Sequence, residues 1–231
     1  MREALETDKD LSVGCDLLIV AAFLPELKGI LAALGEGLAG RIGTADVRAT
    51  TVGVGLVRAG CGTVAALEAF RPRAVVLVGT CGAYPESGFA VGDVAVVRCA
   101  RVADPAVIEG RAAFPAIMES HMEAHGALTT AMASAAEDGP ARMVDVVTTL
   151  AVTTDDALAA SLGRSGAVEH LEAFAVASAC NARPVPFLAA LGVANRVGSN
   201  GRSEWEVHHE AAGRAATSLV LRWIERGTAR V

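Results

Sequence analysis

The sequence predicts an α/β protein with one domain, a three-layer αβα sandwich around a mixed, mostly parallel sheet. Short apolar runs alternate along the chain with longer amphipathic stretches, the order produced by a parallel sheet with helices on both faces. The 231 residues are enough for one domain of this class with a substantial core. Because 52% of the residues are hydrophobic and only 4% aromatic, that core must consist mainly of Ala, Val and Leu.

The first half of the chain predicts five short strands and two helices. Each strand is a run of Val, Ile, Leu or Ala bounded by turn residues; the runs are 16–22, 50–54, 74–78, 91–97 and 101–102. The first helix begins around Pro25, a residue suited to a first helical turn. The second helix covers 57–70, and Pro72 ends it.

The second half continues the alternation of strands and helices. The predicted helices are 120–136, 155–162, 173–180 and 204–226, and the predicted strands are 142–150 and 186–193. Thr154 or Asp155 is the expected N-cap of the second of these helices. The stretch 104–119 is irregular and is a candidate mobile flap. Residues 1–14 are expected to form a flexible N-terminal extension, ahead of a domain that spans 15–231.

Composition and charge argue against several classes of protein. The net charge is −6 and no run of basic residues is present, so we expect no nucleic-acid partner. No apolar stretch reaches the about 18 uncharged residues of a membrane-spanning helix, and the start of the chain does not resemble a signal peptide. Five scattered cysteines without metal-type spacing favour a reducing cytoplasm and a role as small buried side chains.

One histidine pair has the spacing of a zinc site. His121 and His125 are four residues apart, which would place both on one face of the predicted 120–136 helix. Glu123 is not adjacent to the first histidine and no third ligand is evident. We therefore favour a solvated helix face and expect no metal ion.

Polar side chains follow several of the predicted strands. Glu26 follows the first strand, 80–83 the third, and Asn195 the strand 186–193, whereas Glu172 opens a helix of small residues. Ligands in such sheets bind at the carboxyl ends of the strands, so we expect these residues to share one crevice. A carboxylate in an apolar run such as 168–177 is costly unless something binds it, and the hydroxyl pair of a ribose would suit Glu172.

Four segments resemble, in the right order, the purine nucleoside phosphorylase and nucleosidase superfamily. They are 19–27, 76–84 with 92–94, 168–177 and 193–195. The resemblance implies that Glu26 activates water, Glu172 binds ribose and Asn195 binds the purine, without any cofactor. It also implies a homodimer or higher homo-oligomer. Further substrate-binding residues expected on this basis are Thr80, Cys81, Gly82, Ala83, Val152, Leu171, Arg202 and Trp205.

The resemblance allows either hydrolysis or phosphorolysis. Related phosphorylases hold phosphate with arginines at two positions, which here read Glu26 and Leu77. A phosphate dianion without such a clamp would bind poorly, so hydrolysis is favoured. The segment 80–82 is phosphorylase-like, which keeps the alternative open.

The base-binding position favours a 6-oxopurine. Adenine-specific nucleosidases carry an aspartate where this chain has Asn195, and an amide offers one donor and one acceptor rather than an acid. The stretches 168–172 and 193–205 resemble futalosine hydrolase, although Leu171 replaces a methionine and Ala173 a glycine. The implied substrate is futalosine or a related nucleoside. The alternatives are a methylthioadenosine/adenosylhomocysteine nucleosidase, a phosphorylase and a non-catalytic nucleoside-binding protein.

Overall fold

Nine strands form one mixed sheet in the computed structural model, which describes residues 14–137 and 141–227. The strands are β1 (Leu17–Ala21), β2 (Ala39–Ile42), β3 (Ala45–Thr51), β4 (Ala74–Ala83), β5 (Val94–Val102), β6 (His121–Glu123), β7 (Arg142–Thr148), β8 (Val168–Glu169) and β9 (Phe187–Arg196). The helices are α1 (Lys28–Ala33), α2 (Leu56–Phe70), α3 (Pro105–Ile108), α4 (Gly126–Ala133), α5 (Asp156–Leu162), α6 (Ala173–Asn181) and α7 (Gly201–Glu225), with a 3-10 helix over Leu24–Leu27. Except for residue 14, the predicted N-terminal extension lies outside the described residues.

The strand order brings the carboxyl ends of three parallel strands to one edge. The sheet runs β2-β3-β1-β4-β8-β7-β5-β6, and β9 pairs with both β4 and β5. Strands β1, β4 and β9 are parallel to one another through their pairings, so their carboxyl ends lie together. The short β8 is antiparallel to β4 there, with Glu169 opposite Gly82. A mixed sheet therefore positions segments distant in sequence around one point.

Helices cover both faces of this sheet, as predicted. Along β1, Leu17, Ile19 and Ala21 belong to one buried cluster, while Leu18 and Val20 belong to the other. The first cluster includes residues of α1, α4 and α7, and the second includes residues of α2 and α6. Because side chains alternate between the faces of a strand, this division confirms an α/β fold with a helix layer on each side.

Small residues allow close packing of the long C-terminal helix. A side chain added at Gly192 in β9 would place its first carbon 1.9 Å from the Ala212 carbonyl oxygen of α7. Only glycine permits this approach of helix to strand.

The described residues contain no helix that is both long and apolar enough to cross a membrane.

The predicted helix over 120–136 is wrong in its first part. Residues 121–123 form β6, which pairs with the edge of β5, and the helix α4 begins only at Gly126. His125 is the N-cap of α4, and its Nδ1 accepts a hydrogen bond from Leu128 N at 3.4 Å. The two histidines therefore do not share a helix face. Within the described ranges, no group of three or more His, Cys, Asp or Glu side chains is placed to hold a metal ion.

Other boundaries differ because pairing at a distance extends the strands. The segment 79–83 follows the predicted strand 74–78 but is the end of the same strand, β4, where β8 and β9 pair with it. The two predicted strands between 91 and 102 are one continuous β5. The stretch 104–119 contains the short helix α3, capped by the Asp104 side chain. Of the two predicted N-caps of α5, Thr154 and Asp155, the structure shows Asp155. Among the five cysteines, Cys61 is exposed, contrary to the expected burial of every cysteine.

Candidate active site

A cleft of about 520 Å³ opens at the carboxyl ends of β1, β4 and β9. Of the eleven predicted site residues, Ala83 is only 1% exposed and does not line this cleft. A smaller pocket of about 230 Å³ shares Phe23, Glu26 and Thr80 with the cleft. The structure brings the other ten predicted site residues together around the cleft: Glu26, Thr80, Cys81, Gly82, Val152, Leu171, Glu172, Asn195, Arg202 and Trp205.

Glu26 is a buried carboxylate with unequal oxygens. It lies in the 3-10 helix after β1 and is 7% exposed. Its Oε1 accepts hydrogen bonds from Thr80 N at 2.9 Å and from Thr80 Oγ1 at 3.1 Å. Its Oε2 is buried without a hydrogen-bond partner among the described residues. Burial raises the pKa of Glu26 to about 7, helped by the charge of Glu172 and opposed by the Thr80 hydrogen bonds, which suits a general base near neutral pH.

Trp205 holds the Thr80 hydroxyl group, which donates a hydrogen bond to Glu26. Its Nε1 donates to Thr80 Oγ1 at 3.1 Å, so this hydroxyl accepts from the indole while it donates to Glu26. The Trp205 ring stacks on His209 with centroids 4.3 Å apart, and Phe23 lies 6.5 Å away. Helix α7 thereby orients the Glu26 side of the cleft.

Glu172 is held at one oxygen by the turn before α2. Its Oε1 accepts a hydrogen bond from Gly55 N at 2.7 Å. Gly55 has a φ of 85°, a conformation open mainly to glycine, and this turns its N–H towards α6. The other oxygen, Oε2, lies 3.3 Å from His170 Nδ1. Glu172 is the N-cap residue of α6 but makes no side-chain cap bond, so its carboxylate remains available to a ligand.

His170 is a site residue that the sequence did not identify. It lines the cleft, is 4% exposed, and its Nδ1 accepts from Glu172 N and Ala173 N, both at 3.2 Å. Burial lowers its pKa, opposed by the charge of Glu172. A neutral imidazole that accepts at Nδ1 carries its proton on Nε2. The contact with Glu172 is therefore not an ion pair. The sequence signal was a histidine between two glutamates in an apolar run.

A second buried carboxylate, Glu169, organises the loop after β7. Its Oε1 accepts from Thr153 N at 3.0 Å, and its Oε2 accepts from Thr153 Oγ1 at 2.5 Å and Tyr84 Oη at 2.8 Å. Burial, followed by the charge of Glu169, raises the pKa of Tyr84. This network fixes Thr153 next to Val152 in the cleft wall. Glu169 lies in the apolar run 168–177, whereas its partners Tyr84 and Thr153 come from distant segments and were not predicted as site residues.

Asn195 lies near the end of β9 and reaches across two glycines. Its Nδ2 donates to Arg196 O at 2.8 Å, which leaves the second Nδ2 hydrogen and Oδ1 for a ligand. A first side-chain carbon at Gly82 would lie 2.9 Å from this Nδ2, and one at Gly201 would lie 3.1 Å from it. Glycine at both positions therefore makes room for the amide.

Two further predicted residues have plain surroundings. Arg202 is largely exposed and pairs with Glu206, with Nε 2.7 Å from Oε1. Cys81 is buried, and its pKa is raised by that burial and by the charge of Glu26. Its sulfur is therefore a neutral thiol rather than a nucleophilic thiolate.

The fold and the cleft together define an α/β protein with a carboxylate-lined cleft at the carboxyl edge of a mixed sheet. The chain belongs to the phosphorylase superfamily, because the family profile of that description matches residues 17–225. This confirms the resemblance drawn from the four segments. No curated protein sequence matches the chain.

Solved structures of the same fold cover nearly the whole chain. A 5'-methylthioadenosine/S-adenosylhomocysteine nucleosidase from Neisseria meningitidis aligns with a TM-score of 0.82 and 17% identity, over 91% of this chain and 99% of its own. Futalosine hydrolase from Helicobacter pylori aligns at 0.81 and 13%, over 91% and 97%. A nucleosidase from Colwellia psychrerythraea in complex with adenine aligns at 0.78 and 20%, over 92% and 95%. At these identities the likeness shows the fold.

Proposed function

We propose that this protein hydrolyses the N-glycosidic bond of a purine nucleoside, with futalosine or a related 6-oxopurine nucleoside as substrate. The observation that carries this proposal is a pair of buried carboxylates, Glu26 and Glu172, in one cleft with unlike surroundings. Two carboxyl groups whose surroundings differ in this way can divide a reaction between them.

Glu26 is the proposed base. Its ionised form takes a proton from the attacking water, and its pKa of about 7 makes it a stronger acceptor than an exposed glutamate while it stays partly ionised at neutral pH. The Thr80 donors at Oε1 hold the carboxylate in place. The water oxygen forms the new bond to the ribose C1′.

Glu172 is the proposed ribose ligand. With Oε1 fixed by Gly55 N, its carboxylate accepts hydrogen bonds from the 2′- and 3′-hydroxyls. The breaking C1′–N bond leaves positive charge on the sugar, and a fixed carboxylate in a cleft shielded from water stabilises that charge.

Asn195 is the proposed purine ligand. One Nδ2 hydrogen and Oδ1 remain after the bond to Arg196 O, and this pair matches the O6 and protonated N7 of a departing hypoxanthine. The electron pair of the broken bond leaves with the purine, which takes its proton from solvent. Thr80, Cys81 and Gly82 line the cleft beside it.

The charges of the cleft favour water over phosphate. The described lining contains the carboxylates Glu26, Glu169 and Glu172 and a single arginine, Arg202. That guanidinium is already paired with Glu206. A phosphate dianion would meet net repulsion here, whereas water would not.

The similar structures keep an adenine nucleosidase as the second candidate. The Neisseria meningitidis nucleosidase was solved with methylthio-immucillin-A and the Colwellia psychrerythraea nucleosidase with adenine. These ligands belong to those proteins. Asn195 favours the 6-oxopurine for this chain, because its free Nδ2 hydrogen can donate to O6, whereas adenine carries an amino group, itself a donor, at that position.

A substrate panel tests the proposal. Inosine, adenosine, methylthioadenosine and futalosine are incubated with the protein, with and without phosphate, and the free base is quantified. We expect hypoxanthine release that does not require phosphate, fastest from futalosine. Faster cleavage of methylthioadenosine than of any 6-oxopurine nucleoside would favour the adenine nucleosidase. Tight nucleoside binding without base release would favour a non-catalytic binding protein.

We further propose a homodimer or higher even-numbered oligomer in the cytoplasm. Val54 and Val152 line the cleft and are 57% and 65% exposed, and Val57 in the first turn of α2 is 71% exposed. Exposed apolar side chains that form one patch are typical of an interface. Sedimentation equilibrium at micromolar concentration is expected to give an even multiple of the chain mass, and a clean monomer would contradict the proposal.

A further inference from the structure

Gly79 in β4 lies between the Glu26 carboxylate and the His170 ring. A side chain built at Gly79 would bring its first carbon to 3.1 Å from Glu26 Oε1 and 3.2 Å from His170 Nε2. Among the described residues, the hydrogen bonds of these two side chains go to Thr80, Glu172 and Ala173, and none joins Glu26 to His170 directly. The gap that they flank is part of the cleft, which both side chains line, and polar groups on two sides of such a gap are commonly bridged by water.

The hydrogen bonds of His170 determine which of its two ring nitrogens carries the proton. The nitrogen that faces the gap is Nε2. Nδ1 accepts from Glu172 N and Ala173 N, so Nε2 carries the hydrogen in the neutral ring. The charged groups that face His170 are Glu172 at Nδ1 and Glu26 across Gly79. One side of the gap therefore presents a donor and the other side an acceptor.

We propose that His170 is a third catalytic group, which holds the attacking water together with Glu26. Its Nε2–H donates to the water oxygen, and Glu26 takes one of the water protons as the oxygen bonds to C1′. His170 keeps its own proton throughout. The inference rests on the proposed hydrolysis and adds to it the group that orients the nucleophile.

The same ring positions Glu172. Since Glu172 makes no cap bond of its own, the Nδ1 of His170 satisfies the first two N–H groups at the start of α6. This holds the backbone from which the Glu172 side chain projects. The two ring nitrogens thus serve the two carboxylates, and substitution can separate their contributions.

Two variants separate the donor from the cap. His170→Asn keeps an acceptor close to the position of Nδ1 but removes the Nε2–H, whereas His170→Gln keeps a donor close to Nε2 but removes that acceptor. We expect His170→Asn to keep its melting temperature and a KM within about twofold of the wild type, with kcat lowered at least about tenfold. We expect His170→Gln to retain more of kcat but to lose thermal stability and raise KM.

The outcomes distinguish this inference from the proposed function. If the wild type releases base but His170→Asn keeps a kcat within about twofold of it, the water-holding role is wrong and His170 is only a helix cap. If the wild type releases no base from any nucleoside, the proposed function itself fails. Nitrogen-15 spectra of His170 provide a readout without turnover: a proton on Nε2 is expected, and a proton on Nδ1 would overturn the inference.

Discussion

Glu26 and Glu169 are equally buried in the wall of one cleft, at 7% exposure each, yet their surroundings differ. Both oxygens of Glu169 accept hydrogen bonds, from Thr153 and Tyr84. In Glu26 one oxygen accepts both bonds from Thr80 and the other accepts none among the described residues. A fully satisfied buried carboxylate stabilises a fold, whereas a half-satisfied one is costly and is typical of a reactive site.

The largest effect is expected for the half-satisfied carboxylate. Glu26→Gln removes the base but preserves shape, so kcat should fall at least about a hundredfold while KM changes little. Steady-state kinetics with the best nucleoside of the panel measures both constants. A near-normal rate in Glu26→Gln would reject its assignment as the base.

The same carboxylate should make stability depend on pH. Its pKa rises from an ordinary 4.5 to about 7 on folding, so between these values the folded state binds more protons than the unfolded state. Stability contributed by the protonated group is full below about pH 4.5 and is lost as pH rises through about 7. The loss is on the order of 3 kcal/mol.

Glu26→Gln should remove this pH dependence. Its free energy of unfolding should exceed that of the wild type at pH 8, with little difference at pH 4.5, because a neutral amide bears no charge to bury. Urea denaturation of both proteins at the two pH values provides the comparison. Parallel pH profiles for the two proteins would show that burial does not raise the pKa of Glu26.

Substitution of Glu169, whose two oxygens both accept hydrogen bonds, should lower the stability of the protein rather than its catalytic rate. Glu169→Gln places an amide donor where Thr153 and Tyr84 also donate, and we expect a loss of about 1–3 kcal/mol in the free energy of unfolding. Tyr84→Phe, which removes one of the donors, should cost less, about 1 kcal/mol. Thermal unfolding measures both variants. A stable Glu169→Gln protein without turnover would instead make Glu169 a catalytic group.

The smallest effect concerns the choice of base. Asn195→Asp should shift preference from hypoxanthine-bearing towards adenine-bearing nucleosides, because a carboxyl group can supply a proton at N7. One mismatched polar contact costs about 1–3 kcal/mol, so the ratio of kcat/KM values should change about tenfold or more. Paired inosine and adenosine assays on both proteins measure it. An unchanged ratio would remove Asn195 from base recognition.

Local patterns were sufficient for much of the fold and for the location of the cleft. Strand β1 and helices α2 and α5 follow from apolar periodicity, a terminal proline and the Asp155 cap. Glu26, Glu172 and Asn195 were predicted to share a crevice because each follows a strand or opens a helix, and all three line one cleft.

What local patterns could not give depends on distant partners. The edge strand β6 exists because β5 pairs with it, which overrides a helical pattern. The tautomer of His170 depends on two backbone N–H groups that only the fold positions. The hydrogen-bond donors to the two carboxylates are also distant in sequence. Thr80 is 54 positions from Glu26, and Tyr84 and Thr153 are 85 and 16 positions from Glu169. Sequence periodicity carries no signal for such contacts.

The sugar product tests the central claim of hydrolysis at this cleft most directly. The protein is incubated with inosine or futalosine in the presence of phosphate, and the sugar released with the hypoxanthine is identified by mass spectrometry. We expect the free sugar, formed at the same rate when phosphate is omitted. A sugar 1-phosphate that forms only with phosphate would contradict hydrolysis and would assign the cleft to phosphorolysis.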